Sequence, residues 1–88
     1  MTSSTLTVTN PLGLHARAAA RFVHAASGFQ SQIHVAQGPR AVDGKSIMGL
    51  LLLGAAQGST ILISADGPDE AGALEALVSL VERGFDLP

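Results

Sequence analysis

Along this chain of 88 residues the hydrophobic period switches repeatedly between two and about 3.6, with glycine or proline near most of the switches. In TLTVT, Leu6 and Val8 alternate with threonines, the pattern of a strand that buries one face and turns a β-branched face to water. NPLG then turns the chain. From Ala16 to Ser27 the spacing is helical, with Ala16, Ala19, Ala20, Val23 and Ala26 on one face and Arg17, Arg21 and His24 on the other. Gly28 is placed to end that helix. QIHVA alternates again, QGPR turns, and AVD reads as the second arm of a hairpin. Ser46 precedes IMGLLLL, a short apolar helix that Gly54 would close. STILISA is a strand, and DGPDE supplies the proline and acidic residues of a helix first turn. Ala71, Leu74, Leu77, Val78 and Val81 make the stripe of a last helix that ends at Gly84.

The order is therefore β-α-β-β-α-β-α in one domain, residues 1–88, with no linker or low-complexity segment. Strands with one polar face and helices with one apolar face satisfy each other in two layers. The expected fold is an α+β, two-layer sandwich. A ferredoxin-like arrangement would suit the first six elements as well, and periodicity does not choose the strand order.

Composition removes several functions. A chain that is 47% hydrophobic at this length fills one core but not a core plus a lined substrate cavity, which favours a carrier, adaptor or binding module over a full enzyme. With five Lys and Arg and a formal charge of −2, it lacks the cations that phosphate backbones require, so nucleic acid is not an expected partner. The absence of cysteine excludes disulfides and thiolate zinc, and His24 and His34 have no ligands recurring at metal spacing; no metal and no cofactor are expected. They read as surface histidines. TSSTLTVTN has neither the basic nor the apolar region of a signal peptide, and IMGLLLLGAA is too short for a bilayer. A cytoplasmic protein without membrane insertion is expected.

His15 is the residue that resists a bland reading. It stands between a glycine turn and a helix start, where unpaired backbone N–H groups and the positive helix end form an anion site. A histidine there can simply cap the helix. Imidazole titrates near pH 6.5, however, so it is also a nucleophile at cytoplasmic pH, and a phosphoryl group on its nitrogen stays reactive enough to be passed on. Gly13 admits a close backbone approach, Ala16 and Arg17 contribute amides, and the Arg17 guanidinium can reach the same oxygens. Arg21, one turn on, adds to the positive field or is a solvated charge.

PRAVDGKS nearly spells the nucleotide-binding pattern GxxxxGK(S/T), but Pro39 replaces the first glycine and a hairpin in so small a domain cannot supply the rest of that site. What remains is a turn that feeds Ser46 into a helix N-cap. Ile47, Met48 and Leu51 follow as core residues or, since the run exceeds what one helix face buries, as a docking surface.

GLHARAA at Gly13 to Ala19 and GKSIMGLLLLGA at Gly44 to Ala55, at this separation, resemble the HPr family, the histidine-containing phosphocarriers of the bacterial phosphotransferase system. The resemblance covers essentially the whole chain. It implies an open-faced β-sandwich, an antiparallel sheet ordered 1-4-2-3 and covered on one face by three helices. It also implies that His15 takes phosphate on Nδ1 from enzyme I and passes it to sugar-specific enzyme IIA components, with Arg17 steadying it. In some members an HPr kinase/phosphorylase acts on the serine matching Ser46, and the positions matching Ile47 and Met48 meet partners. A monomer is expected. The chain departs from the family at Ala18, where proline is frequent, and at Leu12, where a small polar residue often helps the phosphate site. A regulatory HPr paralogue acting by partner binding is the alternative, and the presence of His15 argues against it. A domain cut from a multidomain phosphotransferase is a third reading, disfavoured by Met1 and the closing helix.

Overall fold

The computed structural model describes residues 1–87. Strand β1 (Thr2–Thr7) leads to helix α1 (Ala16–Ala26), a hairpin of β2 (Gln32–Gln37) and β3 (Arg40–Asp43), helix α2 (Ile47–Leu53), strand β4 (Thr60–Asp66) and helix α3 (Glu70–Glu82). A short 3-10 turn, Gly84–Asp86, follows. The sheet is ordered β1-β4-β2-β3 and every neighbouring pair is antiparallel. The fold class and the strand order are those expected.

The hydrophobic effect selects this layering. Ile33, Val35, Ile61, Ile63 and Ala65 project from one sheet face and are essentially closed to solvent, as are Ala18, Ala19, Phe22, Leu50, Leu77 and Val81 from the helices. The other sheet face carries Thr5, Thr7, Thr60 and His34 in water. Strand β1 begins at Thr2 rather than Thr5, because pairing continues from Leu6↔Ile61 back to Thr2↔Ala65 and gives those backbone groups partners. Val8 lies past the strand end but stays buried, its N–H donating to Ser59 O at 2.9 Å.

Helix α1 is turned relative to the expected phase. Ala16 and Ala20 are exposed and Val23 is half-buried, while Ala18 and Phe22 go to the core. A phenyl ring buries far more apolar area than an alanine methyl, so Phe22 sets the rotation. The same correction applies to α3, where Ala71 is exposed and Ala73 and Leu80 are buried. Phe85, beyond the last helix, is fully buried in a turn where Gly84, Phe85 and Asp86 all have positive φ (66°, 61° and 58°). No helix among the described residues is long and apolar enough to cross a membrane.

Candidate functional site

The sheet order places the loop after β1 beside the loop between α2 and β4. Asn10 O accepts from Gly13 N at 3.1 Å to close the turn, and Leu14 N donates to Ala55 O at 2.8 Å to tie it to the neighbouring loop. Gly13 has φ +62°, and a Cβ there would strike the Ala55 carbonyl and lie 2.9 Å from Ala56 Cα. Only glycine fits. Leu14, 5% exposed, anchors the loop in the core.

His15 is then delivered as the N-cap of α1, in extended conformation (φ −82°, ψ −178°), with Nδ1 accepting from Arg17 N at 3.2 Å. An accepting Nδ1 keeps its lone pair, so the neutral ring that makes this bond carries its proton on Nε2. The half-buried imidazole thus aims Nδ1 at the positive end of the helix. As the first helical residue, Ala16 has an N–H with no intrahelical acceptor. Arg17 is exposed, and no ion pair or side-chain hydrogen bond engages its guanidinium among the described residues. His15, Arg17, Asn10, Pro11, Leu12 and Leu87 line a cleft of about 300 Å³.

Arg21 is not part of that cleft's lining. It lines a second groove of about 460 Å³ with His24, Leu80, Arg83 and Asp86. There the Asp86 carboxyl is held below the usual range chiefly by its hydrogen bond to Arg83, with a smaller contribution from Arg21. Leu12 presents no polar atom to the cleft, so it acts as an apolar wall.

Ser46 is the N-cap of α2, with Oγ accepting from Gly49 N at 3.0 Å. The turn before it is tight: a Cβ on Gly44 would lie 2.5 Å from Ile33 Cγ2. Of the apolar run, Leu50 and Leu53 are core, whereas Ile47 (43%), Met48 (66%) and Leu51 (38%) are exposed. Leu52 in the same run and Leu12 in the loop before His15 are exposed as well, and neither was expected as part of a docking surface. Asn10, Pro11 and Leu87 are the other cleft residues that sequence reasoning missed: the first two belong to the NPLG turn before His15, which reads only as a turn, and no local pattern ties Leu87 to His15. His24 and His34 are exposed, and no group of three His, Asp or Glu that could hold a metal occurs among the described residues.

An antiparallel sheet ordered 1-4-2-3, covered by helices on one face and carrying a histidine at the first helix N-terminus, defines the class of HPr-like open-faced sandwiches. The family model described as the PTS HPr component phosphorylation site matches residues 2–83. A phosphocarrier protein HPr from Xylella fastidiosa is 51% identical over 81 residues, 92% of this chain and 91% of that protein. The crystal structure of HPr-C-His from Thermoanaerobacter tengcongensis superposes with a TM-score of 0.96 at 46% identity, covering 100% of this chain and 99% of that one. An HPr dimer from the same organism superposes with a TM-score of 0.77 at 48% identity, covering 97% and 98%. The chain belongs to the HPr family of the phosphotransferase system.

Proposed function

We propose that the protein is a phosphocarrier that accepts a phosphoryl group on His15 Nδ1 from phospho-enzyme I and passes it to sugar-specific enzyme IIA components. The observation that supports this most is the direction of Nδ1, whose lone pair meets the Arg17 N–H at the start of α1. In the forward step the Arg17 N–H lets go of Nδ1, the freed lone pair attacks phosphorus to form a new N–P bond, and the bond to the donor's nitrogen breaks with its electron pair returning to the donor. The Nε2 proton stays in place. Phosphate oxygens then take the Ala16 and Arg17 amides, and the unengaged Arg17 guanidinium offsets their charge. Enzyme IIA draws the group off by the same displacement in reverse.

Docking falls to the exposed apolar face of α2, Ile47, Met48 and Leu51, with Arg21 supplying charge at the flank. The thioether of Met48 suits a surface that meets several partners. Ser46 is the regulatory position, modified by an HPr kinase/phosphorylase at the edge of that face. The protein works in the cytoplasm as a single HPr-like domain over residues 1–88. One copy carries both the His15 cleft and the α2 face, so a monomer suffices for transfer; sedimentation at micromolar concentration distinguishes it from a dimer like the related one.

The decisive experiment is incubation with enzyme I and labelled phosphoenolpyruvate. Acid-labile phosphate is expected on the wild type and none on His15→Ala; label that survives this substitution sinks the assignment.

A further inference from the structure

The His15 backbone is suspended from one carbonyl. Gly13 O accepts the His15 N–H at 2.9 Å, closing a three-residue turn, and it also accepts Nδ2 of Asn10 at 2.7 Å. Asn10 is only 7% exposed, and its Oδ1 is buried with no hydrogen-bond partner among the described residues. On its other side the chain returns from α3: a Cβ on Gly84 would sit 3.7 Å from Asn10 Cβ. The amide is therefore wedged between the His15 loop and the C-terminal turn, and it borders the His15 cleft. An unsatisfied buried carbonyl is unfavourable, and an apolar side chain of similar shape would fill the space without that penalty. Supporting the turn gives a folding reason for the Nδ2 donor but none for burying the orphaned Oδ1 beside it.

We infer that Asn10 is a positioning residue for phosphoryl transfer: Nδ2 fixes the Gly13 carbonyl, the carbonyl fixes the His15 N–H, and together they set Nδ1 against the Arg17 amide. The inference rests on the carrier reading of His15. Asn10 touches no phosphate in this scheme and acts only through the backbone. Misplacing a reacting atom by about an ångström lowers turnover by as much as a hundredfold, whereas docking through α2 is untouched.

Asn10→Leu matches the shape while removing both the donor and the orphaned acceptor. As substrate for enzyme I it should show turnover lower by roughly tenfold to a hundredfold, with half-saturation unchanged and a melting temperature at or above wild type. The Arg17 amide resonance, which reports the bond to Nδ1, should move in the unphosphorylated variant. If the branched side chain does not fit, Asn10→Ala carries the same test. A folded variant with wild-type turnover and an unmoved Arg17 resonance overturns the positioning role, whatever its melting temperature. Absence of label on the wild type overturns the carrier reading instead, and the two failures differ because the resonance needs no phosphate.

Discussion

His15 and Ser46 occupy equivalent places in this fold, each accepting a backbone N–H at the mouth of a helix, yet they suit different chemistry. Serine is among the preferred caps and histidine is not, so His15 gives up some helix stability and leaves a nucleophile at the helix end. Phosphoserine would add about −1.5 to −2 charges where the dipole of α2 welcomes them, so the fold would persist. Its effect falls on docking, because the charge sits beside exposed Met48 and would face whatever acidic surface approaches Arg17. Ser46→Asp, itself a good cap, should leave circular dichroism unchanged and raise the half-saturation of enzyme I for this protein by roughly fivefold, the worth of about 1 kcal/mol of lost complementarity. Unaltered kinetics would leave Ser46 a cap and nothing more. At this scale the motifs were legible because a histidine or serine before a helix is a local pattern. Leu87 was not, since only folding brings the far end of the chain to this cleft, and Asn10, though local, reads in the sequence simply as a turn residue.

Helix α2 divides its short length between two tasks. Leu50 and Leu53 reach the core while Ile47, Met48, Leu51 and Leu52 face solvent, so one element seals the sandwich and also carries the surface proposed for docking. Met48→Asp separates the tasks. In the first turn of a helix a carboxylate is mildly favourable, so the melting temperature should stay within about 4 °C of wild type, whereas binding to enzyme I should weaken about tenfold. Leu50→Ala, a fully buried site, should instead cost about 2–5 kcal/mol of stability. A large stability loss for Met48→Asp would move that residue into the core. The existence and order of the elements were readable because each change of period is a physical change of burial. The phase of α1 was harder, because alanines contribute so little area that they do not define a face and one ring, Phe22, decides it; in α3 apolar residues occur on most sides, so the period marks a helix without fixing its buried face.

At the scale of the whole molecule, distant segments are tied by a carboxylate as well as by the core. Asp69 is the N-cap residue of α3, but its side chain makes no capping bond; Oδ1 accepts from Ser31 N at 2.9 Å and from Ser31 Oγ, and Oδ2 accepts from Gln30 N at 2.9 Å. The bonds join the start of α3 to the loop between α1 and β2, across 38 and 39 residues of chain. Gly67 at the same junction leaves no room for a side chain, since a Cβ there would lie 2.7 Å from Ser31 Oγ. The Ser31 hydroxyl first, and then the Gln30 amide, hold the Asp69 carboxyl below its ordinary value of 3.8. Glu70, bonded by Gly67 N–H and the terminal amine, is lowered too. A carboxyl depressed in the folded state contributes stability that is complete above its unfolded value, near pH 4, and is lost as pH falls through the lower folded value. Asp69→Asn isolates one carboxyl from the others. Its amide cannot accept on both sides, so at pH 7 the variant should melt several degrees below wild type. The gap should then narrow as pH drops below about 4, because the wild-type carboxyl itself becomes neutral there. Thermal melts from pH 7 to pH 2 check this, and a gap that stays constant across the range would mean that Asp69 holds the two segments together by shape rather than by charge.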